Sequence, residues 1–255
     1  MNDIRVEQAD NILTLSFDHV DKKNAITDKM YGILADEISA AENDPLTRVI
    51  LLRADGDTFT AGNDLADFAS GSQGKTVDPP NVRRFLGALA AASRPIVAAV
   101  QGAAVGVGTT MLLHCDYVVL ADTARLTTPF VNLALVPEAA SSHLLPARIG
   151  YLRAFAMFAL GEAVPAETAL TWGLANRVVN IDELDAAAAE IAARLAAQPL
   201  GAVIATKRLM RDPEALSHRM DVEGESFAAR LKSPEAQEAF AAFAARRKPD
   251  FSQFR

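Results

Sequence analysis

Cysteine is almost missing from this sequence. Its 255 residues hold a single one, Cys115, which rules out an internal disulfide framework or a cysteine-based zinc cluster and makes a reducing compartment the expectation. Positive charge is short as well: 25 Lys and Arg stand against 32 Asp and Glu, for a net charge of -7. That balance, with no extended basic stripe interleaved with aromatics, argues against nucleic acid as a partner. The longest apolar stretch, Pro95 to Leu113, is broken by Gln101 and three glycines. It suits a buried strand and turn rather than a bilayer span, so no membrane partner is expected. Asp3, Arg5, Glu7 and Asp10 interrupt the start before a signal-peptide core can form, and the Ser252-Gln253-Phe254-Arg255 ending is not a peroxisomal address. The expected location is the cytoplasm.

What is present is apolar material: 50% of residues are hydrophobic and 22% charged. That composition fills a core and excludes both disorder and a collagen-like chain. Residues 4 to 18 alternate as a strand pair about an Asp10-Asn11 turn. Asp28 to Glu42 carries Met30, Ile33, Leu34, Ile38 and Ala41 on one stripe behind a Thr27 N-cap, the pattern of an amphipathic helix. A short strand, Val49 to Arg53, leads through Thr60-Ala61-Gly62-Asn63-Asp64 to a Gly-, Ser- and Pro-rich loop from Ala69 to Asn81, expected to be mobile. A helix over about 82–92, a strand over 95–100, a glycine turn, a short helix over 108–114 and a strand over 116–120 follow. Alternating strands and helices imply an α/β class with a partly parallel sheet. From about Asp182 strand patterns stop, and 185–197, 202–210, 213–231 and 234–245 read as Ala-rich helices. The expected division is a core over 1–195 and a helical attachment over 196–255, whose small residues could bury against another subunit or against the body.

Several residues invite chemistry. Gly102-Ala103-Ala104-Val105-Gly106-Val107-Gly108 follows a strand and opens a helix, but Met111 stands where a dinucleotide-binding fingerprint needs Gly or Ala. Two readings of that turn stay open: glycines required by close packing, or backbone N–H groups offered to a developing anion. The Ala61–Asp64 loop makes the same offer, unless Asp64 simply caps a short helix. His19, His114, His143 and His218 form no metal-ligand spacing with Cys115. Ser141, Ser142 and His143 are neighbours on a helix start and do not face one another as a triad would. Glu138 follows Pro137 among Leu133, Leu135, Val136, Leu144 and Leu145. It is either a base whose pKa burial raises or an exposed acid in a first helical turn.

Taken in order, these segments resemble the crotonase family, the enoyl-CoA hydratase/isomerase superfamily. Lys22-Lys23-Asn24-Ala25-Ile26 resembles its K-x-N-A-[LI] segment, and Phe59 to Leu65 its F-x-A-G-x-D-L loop. Pro95 to Gly102 with Gly106-Val107-Gly108 resembles its P-x-[IV]-A-A-[VI]-x-G…G-G-G stretch, and Cys115-Asp116 its C-D pair. Arg177-Val178-Val179 and Arg246 to Phe251 are similar to its later segments. The resemblance implies a spiral of ββα units with a helical C-terminal trimerisation region, a homotrimer or dimer of trimers, and an acyl-CoA thioester substrate. It implies an oxyanion hole from the N–H groups of Ala61 and Val107. It further implies CoA contacts from Lys22, Lys23, Ala25, Asp64, Leu65 and Lys248, and an acyl pocket shaped by Phe68, Thr110, Phe130 and Leu133. No cofactor is implied, coenzyme A being part of the substrate.

Where the family's hydratases hold water between two glutamates, this chain has Thr110 and Phe130, neither of which is an acid or base at neutral pH. Thr128-Pro129-Phe130 and Pro137-Glu138-Ala139-Ala140-Ser141-Ser142 instead resemble the T-P-F…P-E-G-x-S-S of peroxisomal-type Δ3,Δ2-enoyl-CoA isomerases. The resemblance therefore implies an isomerase in which Glu138 alone moves the proton. The rivals are isomerisation of a ring-derived acyl-CoA, a hydratase-like protein of weak activity, and a silent RNA-binding member of the family.

Overall fold

A computed structural model of the chain describes residues 3–64 and 80–254. Leu65, Phe68 and most of the expected 69–81 loop lie outside the described residues. The first two strands, β1 (Ile4–Ala9) and β2 (Ile12–Phe17), form an antiparallel hairpin. Asp10 and Asn11 turn it with φ of 50° and 64°, the left-handed pair that a two-residue hairpin needs. Four parallel additions, β3 (Val49–Ala54), β4 (Ile96–Val100), β6 (Tyr117–Ala121) and β9 (Arg177–Val179), complete a six-stranded sheet in the order β1-β2-β3-β4-β6-β9.

The central strands read as unbroken apolar runs because both faces of the sheet are covered. Ile50, Leu52, Ile96, Ala98, Val100, Val118 and Leu120 join one core with α1 (Asp28–Ala41) and α2 (Pro80–Ala91). Their alternate neighbours Val49, Leu51, Val97, Ala99, Val119 and Ala121 form a second core under α7 (Leu184–Ala196). As expected, Thr27 caps α1, its side chain accepting from the Met30 amide.

A smaller layer holds β5 (Ala103–Val105), β7 (Arg125–Thr127) and β8 (Val164–Pro165). The glycine turn was expected to be only a turn, yet β5 lies inside it, pairing in parallel with β7. The fold then winds by repetition. A strand of the large sheet is followed by a short one of the small layer and then by a helix: β4, β5 and α3 (Val107–Thr110), then β6, β7 and α4 (Ser141–Ile149). An isolated bridge of Thr60 to Ala104 draws the segment after β3 into the same small layer, and one of Asn63 to Ile26 ties it to the residue before the α1 cap.

α5 (Tyr151–Leu160) and α6 (Ala166–Trp172) precede β9, and α8 (Leu200–Met210), α9 (Pro213–Leu231) and α10 (Pro234–Ala244) close the chain. The expected bounds of α9 hold to the residue. Asp212 caps it by accepting from the amides of Glu214 and Ala215, and Pro213 occupies the first turn. Among the described residues no single helix is long and apolar enough to cross a membrane.

Candidate active site

The turns after β3 and β4 meet at the carboxyl ends of the parallel strands, the usual place for a ligand in such sheets. Two glycines bring them together. A Cβ on Gly62 would lie 2.7 Å from the Val105 carbonyl oxygen, and one on Gly108 would lie 2.4 Å from Thr60 Cγ2. The packing reading of the glycine turn therefore holds at Gly108, and the same close approach applies at Gly62.

The loop's own hydrogen bonds correct one expected donor. The Ala61 N–H is already used, donating to the Lys23 carbonyl at 2.9 Å, and Ala61 is exposed and does not line the cavity described below. Asn63, two residues on, is placed differently. In its parallel bridge the amide of Ile26 donates to Gly62 O at 2.8 Å and that of Asp64 to Ile26 O at 3.0 Å. Successive residues of a strand point their polar groups to opposite sides, so the Asn63 N–H faces away from Ile26. Its side chain is held by Tyr31, whose hydroxyl donates to Asn63 Oδ1. Val107 is the first residue of α3, one position earlier than the helix was expected to begin, where a helix leaves its N–H without an intrahelical partner.

Thr110, one turn of α3 on from that amide, connects it to Glu138. Thr110 Oγ1 donates to Glu138 Oε1 at 3.0 Å, and the same hydroxyl lies 3.4 Å from the Val107 carbonyl. Glu138 is half-buried and precedes α4, so it is not the exposed acid of a first helical turn. The backbone that delivers it is unusual: Ala139 and Ala140 have φ of 62° and 55°. Each left-handed alanine costs roughly 1–2 kcal/mol. Glycine in the resembled P-E-G motif carries no such cost, whereas this chain has Ala139. Ser141, Ser142 and His143 open α4, as expected.

Glu138, Asn63 and Asp64 line a cavity of about 740 Å³ bounded by α1, α2 and α9, with Ile26, Tyr31, Leu86, Met220 and Phe227 among its apolar walls. Two other carboxylates there hold side-chain partners, Asp28 with Asn81 and Asp221 with Arg83, and Glu225 lines the cavity as well. Phe130 and Leu133 are not in the cavity. They pack with Leu231, Ala236 and Ala239, so their side chains shape the seat of α9 and α10 rather than an acyl pocket. Thr110 acts on the site through Glu138 and is not a wall of it. Lys248 is exposed and likewise does not line the cavity.

Among the residues expected to contact CoA, Lys22 closes a single 3-10 turn, and the Lys23 ammonium pairs with Asp57 at 2.8 Å, holding that carboxyl below its usual range. Asn24, between Lys23 and Ala25, is the residue the sequence undersold. It is 1% exposed, its side-chain amide donates to the carbonyls of Asp55 and Thr58, its oxygen accepts from the His19 amide, and its carbonyl receives the Thr60 hydroxyl at 2.5 Å. The only earlier signal for it was its place in the K-x-N-A segment. Among the described residues no cluster of three His, Cys, Asp or Glu side chains could hold a metal ion. The Cys115 thiol is buried, and burial pushes it up to about 12, so it is not a nucleophile.

The chain matches the enoyl-CoA hydratase/isomerase family model over residues 7–254. It belongs to that family. It is 32% identical to the 1,2-epoxyphenylacetyl-CoA isomerase of Escherichia coli, over 94% of this chain and 95% of the relative. It is 33% identical to the enoyl-CoA hydratase AFT3-1 of Alternaria alternata, over 98% of this chain and 86% of the relative. An enoyl-CoA hydratase/isomerase crystal structure from Pseudoalteromonas atlantica superposes with a TM-score of 0.92 at 41% identity, covering 98% of this chain and 99% of that one. The fold is thus the crotonase fold, and the protein is an enzyme of the crotonase superfamily. An acyl-CoA thioester substrate is consistent with the family, whose hydratase and isomerase names both occur among these relatives.

Proposed function

We propose that this crotonase isomerises a 3-enoyl-CoA thioester to the conjugated 2-enoyl-CoA, with Glu138 as the single acid and base. The carrying observation is the Thr110–Glu138 hydrogen bond. A hydroxyl occupies the position where a second catalytic carboxylate is expected in a hydratase, and it aims the one remaining acid. Hydrogens on C2 of the substrate are acidified by both the carbonyl and the double bond. Glu138 removes one, the electrons pass to the thioester oxygen to give a dienolate, and the same carboxyl returns the proton to C4. The N–H groups of Val107 and Asn63 stabilise the oxygen as charge develops on it, a contribution of about 2.7–4 kcal/mol per donor. Proton transfer of this kind needs no metal or redox cofactor.

Similarity to the epoxyphenylacetyl-CoA isomerase favours a second substrate class, a ring-derived acyl-CoA, on the same two amides and carboxylate. A homotrimer or dimer of trimers is part of the proposal. Tyr151, Leu152 and Phe155 on α5 offer an exposed apolar face for such an assembly.

The test is a panel of 3-enoyl-, 2-enoyl- and ring-derived acyl-CoA esters, with absorbance reporting conjugation and mass reporting added water. Glu138→Gln is expected to abolish conjugation while CoA-ester affinity stays within about threefold. Full activity in that variant, or water addition by the wild type without isomerisation, overturns the reading.

A further inference from the structure

Glu223 is a glutamate in the middle of α9, and it is 6% exposed. A buried carboxylate has to be satisfied by hydrogen bonds or opposite charge. Here the partners are backbone amides of the catalytic loop: Ala140 N–H donates to Glu223 Oε2 at 2.6 Å and Ser142 N–H to Oε1 at 2.9 Å. Burial pushes the carboxyl upward from its usual range, while the bonds from Ser142 and Ala140 pull it back.

On the other side of the same loop, the His114 ring nitrogen Nε2 lies 2.8 Å from the Ala139 carbonyl oxygen. Arg211 donates to His114 Nδ1. A guanidinium has donors only, so Nδ1 must accept, and Nε2 carries the proton given to Ala139. The two left-handed alanines that follow Glu138 are therefore gripped from both sides, through carbonyl 139 and through amides 140 and 142. Both grips come from outside the loop, one from the end of the 3-10 turn after α3 and one from α9.

We infer that Glu223 is a positioning residue for Glu138: by fixing the Ala140 and Ser142 amides it holds the Ala139–Ala140 turn, and with it the carboxylate aimed past Thr110 into the cavity. Glu223 touches no reacting atom. It acts through the backbone, and it makes α9 part of the catalytic geometry. The kinetic half of the inference rests on the proposed isomerase, and the geometric half does not.

Glu223→Gln keeps size and one acceptor but turns an NH₂ group toward an amide N–H. A base displaced by about 1 Å loses roughly a hundredfold in rate, so kcat for 3-enoyl-CoA isomerisation is expected to fall at least about tenfold while KM stays within about twofold. A purely structural role would leave kcat of the folded fraction unchanged. Glu223→Asp, charged but one methylene short, should recover part of the lost kcat. In parallel, amide hydrogen exchange in the Gln variant should speed up at Ala140 and Ser142 and stay as in the wild type in the β3, β4 and β6 strands. Unchanged kcat, a rise in KM alone, or unchanged exchange at those two amides overturns the inference. If the wild type isomerises no 3-enoyl-CoA, the catalytic reading fails by itself, and the exchange measurement still decides whether Glu223 holds the loop.

Discussion

His114 makes a sharp prediction about acid sensitivity. It is fully buried, and burial, reinforced by the nearby Arg211, lowers its pKa from 6.5 to about 3. Arg148 and Lys207 push in the same direction, and the hydrogen bond to Ala139 opposes them. Between those two values the unfolded chain binds a proton at this ring and the folded chain does not. Unfolding therefore takes up a proton, and stability present at neutral pH is lost as pH falls through 6.5 toward 3. At about pH 5 the ring is about 1.5 units below its unfolded pKa, and at about 1.4 kcal/mol per unit the loss is about 2 kcal/mol. Glu223 works the other way: its raised pKa lets the folded state keep a proton that the unfolded state has released, so its contribution falls as pH rises. A comparison with His114→Gln cancels that opposing term, because a glutamine can donate to Ala139 and accept from Arg211 without titrating. Urea unfolding of both proteins at about pH 7 and about pH 5, at one protein concentration, is the assay. The wild type should lose about 2 kcal/mol more than the variant over this interval. Equal losses would show that His114 does not titrate with folding, and the assignment of Nε2 as a permanent donor to Ala139 would fall with it.

Two further substitutions test the other parts of the site. Val107→Pro removes the N–H at a helix position that tolerates proline, so the fold should survive while kcat drops by roughly 10²–10³, the cost of one oxyanion donor; steady-state kinetics with a 3-enoyl-CoA reads it, and an unchanged kcat removes Val107 from the mechanism. Asn24→Ala strips three hydrogen bonds from a buried side chain, leaving the carbonyls of Asp55 and Thr58 without it; a loss of about 3 kcal/mol or more in urea unfolding is expected, and less than about 1 kcal/mol would show that the loop does not depend on it.

The sequence was most legible where structure follows from local chemistry. The Asp10-Asn11 turn, the Thr27 cap and the Asp212-Pro213 start of α9 are each decided by residues within one turn of one another. The central strands were legible for a different reason: with cores on both faces they must be apolar throughout, and 49–53, 95–100 and 116–120 stand out as such. β5, β7 and β8 were not legible, because two or three residues cannot display a period. β5 is also hidden among glycines, two of which, Gly102 and Gly108, are required by close approach to Asp57 and Thr60.

Phe130 and Leu133 fell outside the cavity for a reason no local pattern records. Their apolar side chains had two possible destinations, and the residues that claim them, Leu231, Ala236 and Ala239, come about a hundred positions later. Glu223 was invisible for the same reason. On a helix with exposed neighbours on either side it reads as one more solvated acid, and only the return of α9 over the loop before α4 gives it two amides to hold.

The oxyanion donor shows the limit most clearly. Motif resemblance pointed to the loop from Ala61 to Asp64, but it could not say which of its amides the loop's own hydrogen bonds leave over. That choice is one of parity. Ile26 takes the Gly62 carbonyl and the Asp64 amide for itself, Lys23 takes the amide of Ala61, and Gly62 N–H turns back to the Thr60 hydroxyl at 3.0 Å. Three of the four amides are thereby spent on holding the loop in place, and the parity of the bridge to Ile26 turns the fourth, on Asn63, away from Ile26, which is why it is the donor proposed for the thioester oxygen.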